Sequence, residues 1–124
     1  MTQAKGFTLI EVLVALLVFS IIATIAAQMS SQYISTYERV RDKTLAGWVA
    51  DNRINELRLQ ENPPAVSETS EDMDYGAFRW RLVTSVLNTQ DPAIRRVEVI
   101  VEKYRGNGTE PSRVHSLSAF IKAN

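Results

Sequence analysis

Cysteine is absent from this 124-residue chain, and its charges cancel. Without cysteine the chain has no disulfide, no zinc–thiolate site and no cysteine nucleophile, and its redox compartment is left open. Fourteen basic and fourteen acidic residues give a formal net charge of zero. This balance lacks the basic footprint of a nucleic-acid-binding protein, so we expect no nucleic-acid partner.

Residues suited to catalysis are almost as scarce. The one histidine, His115, falls on a predicted strand, where a histidine is more often packed or exposed than catalytic. Alternation along that strand puts Ser116 and Ser118 on the opposite face from His115, which gives no triad. The segment Gly106-Asn107-Gly108 fits a turn rather than a phosphate loop. We therefore expect no enzyme and no bound cofactor or metal.

Helix breakers are missing from much of the first half of the chain. Gly47 is the single glycine between Phe7 and Glu61, and the first strong breaker is Asn62-Pro63-Pro64. An isolated glycine costs a helix only about 1 kcal/mol. The sequence therefore predicts one helix from near Phe7 to near Gln60.

An apolar run opens this helix. No charged residue occurs from Val12 to Ala27. The segment from Phe7 to Ala27 would extend about 31 Å as a helix, enough to span a bilayer. A signal peptide cleaved near Ala27, a plain membrane anchor and a buried core helix would each contain such a run.

Glu11 is the lone acid at the edge of this run. A carboxylate costs about 2.5–3.5 kcal/mol at the centre of a bilayer, and less near its surface. A positive charge on another copy or on a partner chain would offset that cost. Glu11 therefore predicts a segment that assembles with other chains in the membrane.

The residues around Glu11 form a recognisable motif. The sequence Lys5-Gly6-Phe7-Thr8-Leu9-Ile10-Glu11, followed by an apolar helix, resembles the class III leader of type IV pilins and pseudopilins. The resemblance implies that a prepilin peptidase cuts between Gly6 and Phe7 and then methylates the new amine of Phe7. It also implies that Glu11 pairs with the N-terminal amine of a neighbouring subunit.

Charge alone does not settle the orientation in the membrane. Lys5 precedes the span, whereas Arg39, Arg41 and Lys43 follow it, so the positive-inside rule would put the C-terminal domain in the cytoplasm. The pilin resemblance implies a periplasmic domain, and we follow it here. The chain then comprises a cleaved leader over 1–6, a single-pass assembly helix in the bacterial inner membrane over 7–29 and a periplasmic domain over 30–124.

Beyond residue 77 the apolar residues recur with a period of two, which is typical of strands. The alternating stretches are Phe78–Val83, Arg96–Glu102 and Val114–Ile121. Turn residues separate them, so we expect an antiparallel meander covered by the amphipathic part of the helix. The predicted fold is α+β and type IV pilin-like, with a long N-terminal helix packed on a small antiparallel sheet.

The stretch over 62–76 is predicted to be a loop. Its acidic residues at 68–74 could bind Ca²⁺, but their spacing matches no EF-hand. A solvated acidic loop is the commoner arrangement.

A second pattern lies on the helix. The residues Trp48-Val49-Ala50-Asp51-Asn52-Arg53-Ile54-Asn55-Glu56-Leu57-Arg58 resemble general secretion pathway protein I, a subfamily of minor pseudopilins in type II secretion systems. Trp80, Thr89 and the strand over 95–99 match as well. The chain departs from the usual pattern at Ile54, where leucine is common, and over 62–76.

This resemblance implies a structural role. Protein I joins the minor pseudopilins J and K, with H nearby, in a tip complex that nucleates a short periplasmic pseudopilus for the export of folded proteins. The other implied partners are the major pseudopilin, the prepilin peptidase and the inner-membrane assembly platform. The alternative is a minor pilin of a type IV pilus or competence system that binds an external ligand.

The apolar arc of the helix is broader than packing on one small sheet requires. We expect one side to pack on the sheet and another to contact partner pseudopilins, although Trp48 taken alone is expected to be a core residue. The predicted partner-binding residues are Leu45, Trp48, Val49, Ala50, Asn52, Arg53, Glu56 and Leu57.

Overall fold

The computed structural model of the chain describes residues 5–108 and 110–123. Its elements are α1 (Leu9–Leu59), β1 (Ser67–Tyr75), β2 (Phe78–Asn88), β3 (Ile94–Lys103) and β4 (Ser112–Lys122). Residues 1–4 of the predicted leader lie outside the described residues. The chain forms two compact units, one that ends at Arg39 and one that begins at Val40. The division into leader, membrane helix and periplasmic domain stays a prediction.

The prediction of one long helix is confirmed, since α1 runs from Leu9 to Leu59. It ends shortly before Asn62-Pro63-Pro64, because the residue before a proline is driven out of the helical conformation. In the unit before Val40, every described residue is exposed. By length and composition, α1 is the one helix among the described residues that could cross a membrane, with a mean hydropathy of 2.7 in its most apolar window.

The strands of the unit from Val40 onward form one antiparallel sheet in the order β1-β2-β3-β4. The predicted α+β fold and all three predicted strands are confirmed. Alternate residues of β2 and β3 are buried beneath the C-terminal part of α1. The core residues are Ala46, Val49, Ala50, Ile54, Leu57, Trp80, Leu82, Val86, Val97, Val99, Val101 and Ile121.

Small residues allow the helix to lie close to the sheet. Ala46 and Ala50 are both 0% exposed, as is Trp80 on β2, which belongs to the same core cluster. A methyl side chain is short enough to let the helix backbone approach the sheet, and the large indole of Trp80 fills the remaining volume. Dense packing of this kind makes the core sensitive to any added atoms at the two alanines.

The prediction of a loop over 62–76 is wrong for most of its length, because residues 67–75 form strand β1. Acidic residues are poor strand formers, yet two of the four acids of β1 lie opposite arginines. Asp72 pairs with Arg81 and Asp74 with Arg79 across the ladder. Opposite charges that face each other on neighbouring strands stabilise the pairing, and an edge strand tolerates such charges well.

A two-residue turn joins β1 to β2. Gly76 and Ala77 have φ values of 61° and 65°, the left-handed conformation that a type I′ hairpin turn requires at both central positions. A Cβ at Gly76 would also lie 3.1 Å from Leu45 Cδ1, so glycine fits here for two reasons. Gly-Ala is an uncommon sequence for this turn, and alanine in this conformation is strained.

Strand β4 carries a bulge near its start. His115 pairs with Val101 and Arg113 with Glu102, so Val114 is the extra residue. Beyond it the strand alternates regularly, and Ser116 and Ser118 are exposed on the face opposite His115. The prediction that alternation puts these serines on the face opposite His115 is therefore confirmed.

Candidate functional site

The start of α1 is closed by a reciprocal pair of hydrogen bonds. The Glu11 backbone N–H donates to Thr8 Oγ1 at 3.2 Å, and the Thr8 backbone N–H donates to Glu11 Oε2 at 3.1 Å. This is a capping box, which satisfies two of the N–H groups that a helix leaves unpaired at its start. The Gly6–Phe7 bond lies before the helix, in backbone without regular structure.

The capping role of Glu11 was missed by the sequence interpretation, which treated this residue as an assembly group alone. The signal is present in the sequence, since Thr8 and Glu11 have the Ser/Thr-x-x-Glu spacing directly before an apolar run. The box fixes the Glu11 carboxylate at the backbone N–H of Thr8, the residue that follows Phe7 in the chain. The structure thus gives Glu11 a role at the helix start, and its pairing with the amine of a neighbouring subunit stays a prediction.

The second candidate site is the α1 face predicted to bind partners. The structure divides its residues into two groups. Val49, Ala50 and Leu57 are buried, and Leu45 packs against the core. Exposed or half-buried are Trp48, Asn52, Arg53 and Glu56. The buried group contacts the chain's own sheet and leaves the other group available to a partner.

The prediction that Trp48 is a core residue is wrong, because 58% of it is exposed. Successive helical residues are about 100° apart, so Trp48 points away from the sheet although Val49 and Ala50 point into it. Thr44, Asp51 and Asn55 are also exposed. Trp48 is thus a large aromatic residue on a polar helix face, which is the usual composition of a protein interface anchor.

Arg53 links the helix to the sheet and orders the exposed face. Its Nε donates to Thr84 Oγ1 at 3.3 Å, and its Nη1 donates to Glu56 Oε2 at 3.2 Å. Asn52 Nδ2 donates to the other oxygen of Glu56 at 3.1 Å. Thr84 is only 3% exposed, so Arg53 supplies a partner to a buried hydroxyl and at the same time fixes Glu56 at the surface.

A second linkage anchors α1 near Val40. Lys103 Nζ lies 2.9 Å from Asp42 Oδ2 and 3.9 Å from the centroid of the Phe78 ring. The guanidinium carbon of Arg41 lies 4.5 Å from the same centroid. Two cations on one ring and a carboxylate between them combine cation–π and ionic attraction. The linkage fixes the helix against the ends of β2 and β3.

Asp72 joins strand β1 to the rest of the sheet. It accepts hydrogen bonds from Arg81 Nε at 3.1 Å, Arg79 Nη2 at 3.2 Å and the Tyr104 hydroxyl at 3.0 Å. Partial desolvation pulls the pKa of Asp72 upward, but the hydrogen bonds from Arg81 and Tyr104 and the charges of the two arginines outweigh it. The pKa of Asp72 is therefore lower than its ordinary 3.8.

We expect Asp72→Asn to destabilise β1, and the effect to depend on pH. Because the folded-state pKa of Asp72 lies below 3.8, its ion pairs stabilise the fold above that pH and are lost as the pH falls through the folded-state value. The melting temperatures of wild type and Asp72→Asn should differ at neutral pH and converge below about pH 3.8. A constant difference across the titration would contradict the charge-based account of this strand.

No cluster of three or more potential metal-ligating side chains occurs in the described part of the chain. The acids predicted to lie in a loop are instead distributed over both faces of β1. Asp72, at the centre of that strand, is already bound by two arginines and a tyrosine.

Two family models match the chain over the ranges that contain the two candidate sites. Residues 1–27 match the prokaryotic N-terminal methylation motif, and residues 40–122 match the family of type II secretion system protein I. Type II secretion system protein I of Pseudomonas aeruginosa is 42% identical over 101 residues, which cover 82% of this chain and 78% of the relative. The Klebsiella pneumoniae protein of the same name is 32% identical over 121 residues, 98% of each chain.

The protein I of Vibrio cholerae is 34% identical over 106 residues, 86% of this chain and 89% of the relative. The family match covers all four strands of the sheet and the part of α1 from Val40 onward, and the methylation motif covers the capping box and the apolar run. The chain belongs to the protein I family of the type II secretion system, whose members are minor pseudopilins.

Proposed function

We propose that this chain is cleaved between Gly6 and Phe7, is methylated at Phe7 and crosses the inner membrane once, with its sheet-containing unit in the periplasm. There it joins minor pseudopilins J and K, with H nearby, in the complex that nucleates the pseudopilus tip. The major pseudopilin and the inner-membrane assembly platform then extend the fibre. Family membership and the methylation motif over residues 1–27 support this sequence of events.

One observation carries the assembly part of the proposal. The C-terminal half of α1 buries one side against its own sheet and leaves Trp48 58% exposed on the other. A tryptophan of this exposure leaves a large apolar area in water, and burying such a ring against a partner is favourable. Trp48 is not part of the core cluster beneath α1. Burial of its ring would therefore stabilise an assembly with a partner and not the fold of the chain itself.

The residues around Trp48 suit an interface with directed contacts. Asn52 and Glu56 are exposed and already hydrogen-bonded to each other, while Arg53 holds Glu56 in place from below. Preordered polar groups lose less side-chain entropy when a partner binds. We therefore assign Trp48 the role of anchor and the pair Asn52 and Glu56 the role of polar rim. Arg53 is a positioning residue.

Trp48→Glu should weaken binding to the minor pseudopilins without unfolding the chain. Loss of a tryptophan anchor typically costs about 2 kcal/mol or more, which corresponds to roughly a 30-fold rise in the dissociation constant. The measurement is co-purification of the full-length chain with proteins J and K in detergent, followed by titration. Circular dichroism serves as the folding control.

Gln90→Glu is a matched control, because it adds the same charge at an exposed position in the connection between β2 and β3. It should bind proteins J and K as the wild type does. If Trp48→Glu also binds normally, the α1 face is not the interface. If both variants fail, the added charge rather than the lost ring is responsible.

A further inference from the structure

The two edges of the sheet differ in charge. Strand β1 carries four acidic residues and no basic one, whereas β4 carries Arg113, Lys122 and His115 and no acidic one. Among the described residues, each of these strands has a neighbouring strand on one side only. A strand edge exposes unpaired N–H and C=O groups that can bind another extended chain.

Charged side chains discourage another strand from pairing with the β1 edge, but they do so less at the β4 edge. All residues of β1 except Met73 are exposed, and its acids discourage pairing in the way that natural edge strands commonly do. On β4, the bulge at Val114 interrupts the edge near its start, but His115–Lys122 is regular. Its exposed residues there are two serines, Phe120 and Lys122, so its middle is small or apolar rather than charged.

A groove of ≈ 370 Å³ lies beside the end of this edge, between β4 and the end of α1. Leu57, Pro63, Phe120 and Ile121 supply its apolar wall. Arg58 and Lys122 outnumber the single acid, Glu61. Phe120 is 64% exposed there, on the face of β4 opposite the buried Ile121.

We propose that β4 is a docking edge for an extended, acidic segment of a partner protein, which adds to the sheet as a fifth strand. The main-chain groups of His115–Lys122 supply the hydrogen bonds, as in other cases of strand addition. Arg113 and Lys122 lie towards the two ends of the edge and select acids at the ends of the incoming segment. Phe120 and the groove accept its apolar side chains.

The docking edge is separate from the α1 face around Trp48, and its test does not depend on the pseudopilus assignment. The protein is the full-length chain in detergent micelles. The probe is a fluorescein-labelled peptide of alternating threonine and valine with two glutamates at each end. The control peptide has lysines in place of the glutamates. Fluorescence anisotropy gives the dissociation constant, and amide hydrogen exchange shows which strand is protected.

The acidic peptide should bind and slow amide exchange in β4 but not in β1. The double variant Arg113→Glu/Lys122→Glu should weaken its binding about fivefold, given the modest strength of exposed ion pairs. The matched double variant Arg39→Glu/Lys43→Glu changes the charge equally at exposed positions of α1 and should leave binding unchanged. Added salt should weaken binding of the acidic peptide.

Three results would overturn the proposal. Equal binding of the two peptides would show that the edge does not select an acidic segment. Binding of the acidic peptide without slower exchange in β4 would reduce the contact to surface ion pairing. Self-association of the chain that is lost in Arg113→Glu/Lys122→Glu would assign the edge to a second copy instead.

Discussion

Glu11→Gln should sharply reduce secretion by cells that carry it, although the protein should accumulate with its sheet-containing unit folded. Glutamine can still accept the hydrogen bond from the Thr8 N–H and so preserves the capping box. It cannot pair as an anion with the amine of a neighbouring subunit. A charge pair in a membrane environment stabilises assembly by an amount on the order of 2 kcal/mol, so a defect of more than about tenfold is expected.

Two comparisons separate the charge of Glu11 from its capping role. Glu11→Ala removes both functions and should be at least as defective as Glu11→Gln. Thr8→Ala removes the hydroxyl of the box but keeps the carboxylate, and a lost cap costs only about 1 kcal/mol. Secretion should therefore fall less in Thr8→Ala than in either Glu11 variant. Normal secretion in Glu11→Gln would show that the carboxylate acts only as a helix cap.

Ala50→Arg should unfold the sheet-containing unit. The sequence interpretation placed Ala50 on a surface that contacts partners, but the residue is 0% exposed and faces the sheet. An arginine there must bury a charge without a partner or push α1 away from the core. Either outcome costs about 4 kcal/mol or more, against a typical total stability of roughly 5–15 kcal/mol.

Denaturation of the full-length chain in detergent, followed by tryptophan fluorescence, measures this effect because Trp80 is buried in the core. Asn55→Arg is the matched control, since it adds the same side chain at an exposed position of the same helix. That variant should melt as the wild type does. A cooperative, wild-type-like transition for Ala50→Arg would show that α1 can move away from the sheet at little cost.

The parts of the fold that depend on simple periodicity were predictable. Absence of breakers fixed α1 to within two residues at its start, and Asn62-Pro63-Pro64 fixed its end. Alternation of apolar residues located β2, β3 and β4. In each case, a single local property of the sequence agrees with the tertiary structure.

Strand β1 was not predictable in the same way, because its stability comes from residues elsewhere in the chain. Its own composition is acidic and typical of a loop. The groups that hold it are Arg79, Arg81 and Tyr104, which lie on β2 and just after β3. The joining turn, Gly76-Ala77, also lacks the Asn-Gly or Asp-Gly sequence that marks a hairpin most clearly.

The residues of the candidate site on α1 could be predicted from the sequence, but the side of the helix that faces the sheet could not. The sequence placed the partner-binding residues on α1, yet a broad apolar arc does not show which side meets the sheet. Packing decides this, since Ala46 and Ala50 permit the close approach that Trp48 would prevent. The exposed side therefore carries the tryptophan, and the buried side carries the alanines.

Mass spectrometry of the mature N-terminus, on protein purified from the membranes of its host, tests the central claim most directly. The proposed cleavage after Gly6, followed by methylation, would leave a mature chain that begins with an N-methylated Phe7. The predicted result is an N-terminal peptide that starts at methylated Phe7 and contains Glu11. An N-terminus at Gln28, as after signal-peptide cleavage, or an intact chain that begins at Met1 would contradict the pseudopilin account.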